Sequence, residues 1–294
     1  MHITANGLQI EIDVQGPPDG PPLLLIMGLG MPLLGWPEEL VALLVQSGCR
    51  VIRLDNRDAG LSQGFEAYGV PSLTAASLRY LLHLRVPCPY TLADMAADAL
   101  AVLDALGVRS AHVCGASMGG MIAMHLAAKH PQRVKSLALL MTTSGNRRLP
   151  QPTWAVRRAL LKRPASPQVD AVVAHLEGLL QVIGSPAYPP DPAQQRQRLT
   201  TMVRRGWRPD GTARQLLAVA ADGDRSALLG RIQAPTCIIH GQADPLVPVA
   251  AAHELQRKIA GASTEIIPGM GHDLPQALLP RLAALLAGHL QAHA

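Results

Sequence analysis

The pentapeptide Gly-x-Ser-x-Gly at residues 115–119 constrains this chain more than any other feature, because its two flanks differ so sharply. An apolar run, residues 111–114, precedes it, and a helix-forming run, residues 121–128, follows at once. In a strand–turn–helix context the serine stands at the apex of a strained turn, where only very small residues fit beside it. A bare match to this pattern is usually a flexible loop. The flanks instead predict that Ser117 is a nucleophile, provided that an acid and a histidine follow.

The order of the remaining patterns predicts the fold class. Short apolar runs, suited to buried strands, alternate with amphipathic helical segments up to Met141 and again after residue 230. This alternation is typical of an α/β fold in which helices cover both faces of a mostly parallel sheet. We expect eight strands.

The pattern changes between residues 142 and 230, where helical segments interrupted by proline occur without any strand-like run. Their apolar residues recur at helical spacing, which indicates a packed insertion rather than a linker. We therefore expect a core domain formed by residues 1–141 and 231–294, and a helical cap (lid) formed by residues 142–230. Proline placement suggests hinges at 149–152 and 186–192.

Two loops offer the partners that a nucleophilic serine needs. A serine hydroxyl requires a neighbouring base, and the base requires a carboxylate that orients it. In a doubly wound sheet such groups gather beyond the carboxyl ends of the strands. Asp244 follows the strand-like run 234–240, and His272 follows the run 264–267. The chain order Ser117, Asp244, His272 is the order expected of a hydrolase with this turn.

Other acids and histidines are weaker candidates. Asp222 and Asp224 could supply the acid instead, but neither follows a strand-like run. His240 ends such a run, and we expect it to support the loop after it. His289 and His293 have the i, i+4 spacing of some metal ligands, although a solvated tail is the favoured interpretation.

Two backbone amides should stabilise the oxyanion that forms when the serine attacks a carbonyl. One belongs to Met118, the residue after the nucleophile. The other belongs to the loop after the run that ends at Met27, where we choose Leu29, with Gly28 as second choice. The Gly-x-Gly at 28–30 lets this loop approach closely, but it lacks the third glycine and the immediate helix of a dinucleotide site.

A polar run, residues 55–62, directly follows the strand-like run 50–54. It could bind substrate. The favoured interpretation is a buried Arg–Asp pair that holds the loop, because buried charges need partners.

Composition limits the partners. Aromatic residues make up only 3%, and the net charge of +5 is not gathered in a basic arm, so we expect no nucleic acid. The four cysteines lack C-x-x-C spacing, no secretory signal is visible, and no apolar run reaches the ~18 residues of a membrane span. These features predict a cytoplasmic protein without a membrane partner. Residues 154–163 form a basic amphipathic helix that could contact a membrane, but a solvated face of the cap is favoured. A homo-oligomer is left open.

Five stretches carry a resemblance to a known family. Residues 115–120, 240–248 and 269–272 resemble the nucleophile, acid and histidine motifs of the α/β-hydrolase superfamily, and the resemblance covers nearly the whole chain. Residues 27–37 and 55–62 are similar to the branch of that superfamily containing aclacinomycin methylesterase, which hydrolyses a methyl ester on a polyketide antibiotic.

The resemblance implies the α/β-hydrolase fold and hydrolysis of a small to medium, mostly apolar carboxylic ester through Ser117, His272, Asp244 and an acyl-enzyme, with neither cofactor nor metal. Met27 departs from the pattern, since many relatives carry a histidine there. The same triad could also serve lactone, enol-lactone or carbon–carbon bond hydrolysis, or perhydrolysis. A non-catalytic ligand-binding protein on this fold is a third hypothesis.

Overall fold

One sheet runs through the computed structural model, which describes residues 1–70 and 72–293. Its eight strands are β1 His2–Ala5, β2 Leu8–Gln15, β3 Pro22–Ile26, β4 Arg50–Leu54, β5 Ala111–Ala116, β6 Val134–Leu140, β7 Thr236–Gly241 and β8 Ser263–Ile267. They lie side by side in the order β1-β2-β4-β3-β5-β6-β7-β8.

The pairing of the strands confirms the predicted fold class. β1 pairs with β2, and β2 with β4, in antiparallel orientation, whereas the five pairs from β4–β3 to β7–β8 are all parallel. The β1–β2 turn is Asn6-Gly7, and both residues have positive φ, 51° and 73°. Asn-Gly is favoured in such two-residue hairpins because both central positions require this conformation.

Helices cover both faces of the sheet. The helices are α1 Glu38–Gln46, α2 Leu73–Leu81, α3 Leu92–Ala105, α4 Met118–Lys129, α5 Trp154–Leu161, α6 Val169–Ile183, α7 Pro192–Gly206, α8 Pro209–Asp222, α9 Ser226–Leu229, α10 Ala250–Lys258 and α11 Leu279–Gln291. α3, α4 and α10 contribute to the apolar core on one face, and α1 and α11 to the core on the other. The parallel strands β3, β5 and β7 are buried along almost their full length because both of their faces are covered.

Helices α5 to α9 lie between β6 and β7 in the chain. α6 and α7 share a small apolar cluster of their own, made of Val172, Val173, Leu176, Leu199 and Val203. We propose on this basis that residues 142–230 form a cap on a core built from the two flanking parts of the chain.

Prolines mark the beginning of two helices. α11 begins at Leu279 with Pro280 in its first turn, and α8 begins at Pro209, because in the first turn the missing N–H and fixed φ of proline do no harm. Within the two described ranges, no helix has both the length and the hydropathy needed to cross a bilayer.

Candidate active site

Ser117 lies in the sharp turn between β5 and α4, with φ 54° and ψ −119°. A non-glycine residue at positive φ is strained and persists only where its surroundings enforce it. The flanking glycines show how tight these surroundings are. A Cβ on Gly115 would overlap the carbonyl of Gly119, and a Cβ on Gly119 would overlap the carbonyl of Ile26. The turn can form only because both positions lack a side chain.

The structure brings the three predicted side chains together beyond the carboxyl ends of β5, β7 and β8. His272 Nε2 lies 3.0 Å from Ser117 Oγ, and His272 Nδ1 lies 2.7 Å from Asp244 Oδ2. Asp244 and His272 are buried, whereas Ser117 is partly exposed. The hydroxyl is therefore partly open to solvent, while the two side chains behind it are shielded from water.

Asp244 is oriented by the backbone around it. Its Oδ1 atom accepts hydrogen bonds from the amides of Leu246 and Val247, at 2.9 and 2.8 Å, which leaves Oδ2 for the imidazole. Because a carboxylate only accepts, His272 must donate from Nδ1, and its Nε2 is then free to accept the proton of the Ser117 hydroxyl. This tautomer is the one that a general base at Ser117 requires.

The loop after β3 lies directly against the serine. A Cβ added to Gly28 would be 3.3 Å from Ser117 Cβ and 3.8 Å from Ser117 Oγ. The amide of Gly30 donates to Gln215 Oε1 at 2.7 Å, and that of Met31 donates to the Gly28 carbonyl at 3.3 Å. For the amide of Leu29, no acceptor is found among the described residues.

Met118 is the first residue of α4, so its N–H is one of those that have no partner within the helix. The backbone amides of Leu29 and Met118, with Gly28 as the second choice, remain our proposed oxyanion donors.

Two buried side chains that the sequence analysis missed hold this loop in place. Asn56 donates from Nδ2 to the Met27 carbonyl at 2.9 Å, which supplies an anchor at the position where many relatives carry a histidine. Gln215, on α8, accepts from the Gly30 amide and donates from Nε2 to the Arg57 carbonyl at 2.7 Å. Asn56 lies in the polar run 55–62 and could have been noticed there. No sequence signal marks Gln215.

The polar run itself is held by buried ion pairs, as the favoured interpretation predicted. Arg57 binds Asp98 through two hydrogen bonds of 2.6 Å, and Arg214 from α8 binds Asp58 through two of 2.8 Å. Burial alone would raise the pKa of Asp58, but hydrogen bonds from Arg214 and Tyr90 hold this pKa below its ordinary value. The run is therefore bonded both to α3, through Asp98, and to α8, a helix of the proposed cap.

The histidine loop is bonded to the proposed cap as well, through the segment that follows α6. The His272 amide donates to the Ile183 carbonyl at 2.7 Å, and the Gly271 amide donates to Ser185 Oγ at 2.8 Å. The Ser185 hydroxyl in turn donates to Asp273, the neighbour of His272. Burial raises the pKa of Asp273 above its ordinary value. Ser185 is a third residue that the sequence analysis missed, because its role depends on which loop the segment after α6 meets.

The weaker candidates have other partners. His240 is fully buried and its Nε2 donates to the Val247 carbonyl at 2.7 Å, while burial lowers its pKa, so it supports the Asp244 loop as a neutral ring. Asp222 accepts from His125 and Arg225 at 2.9 and 2.7 Å, away from His272.

The remaining candidates are likewise occupied by local contacts. Asp224 accepts from the Ser226 amide at 2.8 Å. The rings of His289 and His293 lie 5.0 Å apart. In the part of the chain that the structure describes, no group of three or more His, Cys, Asp or Glu residues has an arrangement that could hold a metal ion.

Comparison with known proteins agrees with this geometry. A family model described as alpha/beta hydrolase fold matches residues 21–275. The chain belongs to the alpha/beta hydrolase family. Two relatives of this hydrolase are the rhodomycin D methylesterases DauP from Streptomyces sp. (strain C5) and DnrP from Streptomyces peucetius. Each is 30% identical over 312 residues, which cover 99% of this chain and 97% of the relative. The resemblance to aclacinomycin-type methylesterases is thereby confirmed, and the protein is a hydrolytic enzyme.

Solved structures support the fold assignment. The enol-lactonase from Burkholderia xenovorans LB400 superposes with a TM-score of 0.74 at 24% sequence identity, covering 99% of this chain and 100% of that one. At this identity the likeness concerns the fold of the two hydrolases.

Proposed function

We propose that the protein hydrolyses carboxylic esters with Ser117 as nucleophile, His272 as general base and Asp244 as the orienting carboxylate. The observation that carries this proposal is the continuous chain of contacts from Asp244 Oδ2 through the imidazole to Ser117 Oγ, with lengths of 2.7 and 3.0 Å. A poor nucleophile is activated only where such a base is already in hydrogen-bond range.

The reaction proceeds in two halves. Ser117 Oγ attacks the ester carbonyl while His272 Nε2 takes its proton, and the amides of Leu29 and Met118 stabilise the oxyanion. His272 then gives the proton to the departing alcohol, which leaves an acyl-enzyme. A water molecule, deprotonated by His272, releases the acid and restores the serine. Loss of one oxyanion donor should cost ~3–4 kcal/mol of transition-state stabilisation.

We further propose that the substrate is the methyl ester of a small to medium, mostly apolar acid. The methylesterase names of the two relatives that match 99% of this chain support the leaving group. Apolar side chains beside the oxyanion loop support an apolar acyl group. Met31 from the loop, Leu176 from α6, and Met202 and Trp207 from or beside α7 surround a crevice of only about 10 Å³, which would have to widen to admit it. The four free cysteines agree with a cytoplasmic location, which we also propose.

Covalent labelling tests the nucleophile. We expect a fluorophosphonate probe to add one adduct to the wild-type chain, detected by intact mass, and none to Ser117→Ala. The variant should also lose hydrolysis of a short p-nitrophenyl ester while its melting temperature stays close to that of wild type. Ser77→Ala, at an exposed serine on α2, is the matched control and should behave as wild type. An adduct on Ser117→Ala would rule out this nucleophile, and no adduct on wild type would favour a ligand-binding protein.

A substrate panel tests the ester class. Methyl esters, lactones, an enol-lactone and a carbon–carbon cleavage substrate should be compared by kcat/KM, because all of these reactions can use the same triad. We expect the methyl esters to be turned over fastest. Lactones exceeding open-chain esters would replace the proposed reaction while leaving the triad intact.

A further inference from the structure

Two helices expose apolar side chains in an unusual concentration. On α2 and the residues after it, Leu78, Leu81 and Leu82 are each at least 58% exposed. On α5, Trp154 is 83% exposed and Leu161 is 56% exposed. Single exposed apolar side chains need no explanation, but a group of them marks an interaction site. We refer to residues 72–85 and 147–163 together as the basic apolar surface.

The same two segments carry only positive charge. They contain eight Lys and Arg side chains and not one Asp or Glu. Seven of the eight are exposed, and the other is partly exposed. The eight are Arg79, Arg85, Arg147, Arg148, Arg157, Arg158, Lys162 and Arg163. The two segments thus carry a charge of +8, which exceeds the net charge of +5 of the whole protein. An anionic occupant would match the charge of this surface.

Arg147 joins the two segments. Its Cζ atom lies 3.9 Å from the centroid of the Tyr80 ring, and its Nη1 atom lies 2.7 Å from His83 Nδ1. Trp154 is seven positions after Arg147 in the chain, so the two positions are at most ~25 Å apart even along an extended chain. The start of α5 therefore lies close enough to α2 for one flat surface to contact both helices.

The helices present these side chains outward. On α5, Val156 faces inward and is buried, whereas Trp154, Arg158 and Leu161 follow i, i+4, i+7 spacing along the opposite, exposed side. On α2, residues 78, 81 and 82 have the i, i+3, i+4 spacing of a single face, and that face is exposed. Each helix thus offers an apolar stripe bordered by arginine.

We propose that the basic apolar surface docks the protein on the surface of an anionic lipid bilayer. Tryptophan and leucine enter the headgroup region of a bilayer while neighbouring arginines keep their charges at the phosphates. A second copy of this chain would bring cations against cations. An acidic protein could match the charge, but it would also need a groove for leucines and a tryptophan that protrude. The sequence analysis favoured a solvated cap face for residues 154–163. The exposed side chain of Trp154 instead favours contact with lipid.

Vesicle binding tests this proposal without depending on turnover. The full-length protein should be sedimented with vesicles of phosphatidylglycerol and phosphatidylcholine, and with vesicles of phosphatidylcholine alone, at low and high salt. We expect binding to the mixed vesicles only, weakened by salt, because each basic side chain near an anionic surface contributes about a fivefold gain in affinity. A blue shift of tryptophan emission should accompany binding and be absent in Trp154→Phe.

Charge reversals locate the contact. Arg158→Glu/Lys162→Glu should weaken binding to the mixed vesicles by at least about tenfold. Arg231→Glu/Lys135→Glu carries the same change in net charge at the opposite, amino edge of the sheet, and should bind as wild type. Melting curves establish that both variants are folded. Equal weakening in both variants, no binding of wild type to anionic vesicles, or binding to a soluble polyanion without binding to vesicles would each overturn the proposal.

Discussion

Replacing Ser185 with alanine removes a hydroxyl that connects the cap to the histidine loop. In the structure this hydroxyl accepts from the Gly271 amide at 2.8 Å and donates to the carboxylate of Asp273, and the residue is only 6% exposed. Alanine would leave a buried amide and one carboxylate oxygen without a protein partner at this position. Both groups flank His272 in the chain, so the loss falls directly on the loop that carries the proposed base.

The size of the effect follows from the two hydrogen bonds. A neutral bond contributes about 1 kcal/mol and a bond to a charged group about 1.5–3 kcal/mol, so the free energy of unfolding should fall by roughly 2–4 kcal/mol. The loss of these hydrogen bonds will also leave the imidazole of His272 less constrained. If ~1.4 kcal/mol of it is expressed in the transition state, kcat falls about tenfold. KM should change little, because the Ser185 hydroxyl contacts the loop that carries His272 rather than the oxyanion loop.

Ester hydrolysis and urea denaturation measure the two parts separately. Ser185→Thr keeps the hydroxyl and should restore most of kcat, whereas the exposed Ser77→Ala should change neither quantity. A variant Ser185→Ala that is destabilised but keeps the wild-type kcat would show that the contact is structural only, and the reasoning about the base would be wrong. Unchanged stability would contradict the hydrogen-bond assignment itself.

Three further changes test other parts of the structure. Arg214→Gln should lower the free energy of unfolding by ~3–5 kcal/mol, because Asp58 stays buried without its ion pair, and urea denaturation should detect it; a loss below ~1 kcal/mol would argue against a buried pair. Gly119→Ala should abolish activity and folding because no space exists for a Cβ, whereas Gly178→Ala, in an open position on α6, should stabilise by ~0.5–1 kcal/mol in the same assay. Burial lowers the pKa of His112 to about 4, so stability should be full above the unfolded pKa of ~6.5 and fall by about 3 kcal/mol as the pH drops to 4. The melting temperature should depend less steeply on pH in His112→Asn than in wild type across this range, and an equal slope in both proteins would refute that assignment.

The sequence alone could predict the elements whose chemistry is local. Gly115, Ser117 and Gly119 lie within one pentapeptide, so the need for small residues near a strained serine can be recognised from five consecutive residues. Asp244 and His272 could be predicted because each directly follows a strand-like run, and parallel strands bring their carboxyl ends to one edge. The same periodicity predicted the eight-stranded sheet, which the structure confirms.

Residues whose role depends on distant partners could not be predicted in this way. Gln215 lies in the interior of α8, and nothing in its neighbours indicates that its side chain reaches the Gly30 amide, 185 residues away. Ser185 follows a helix end in a proline-rich segment, which is typical of a loop, and only the packing of the cap brings it to Gly271. Sequence periodicity indicates which face of a helix or strand is buried, but not which distant loop that face contacts.

These distant contacts bear on how the cap can move. Residues 186–192 were predicted as a hinge, yet the residues at its start are bonded to the histidine loop: Ser185 to Gly271 and Asp273, and the Ala187 amide to the Gly269 carbonyl at 3.2 Å. Swinging the cap about this segment would break the bonds that position the base. If the proposed cap opens for substrate, it must therefore either leave the end of α6 in place, or uncouple the base whenever it is open. In the second case the enzyme would be competent only when closed, which limits exposure of the acyl-enzyme site to adventitious nucleophiles.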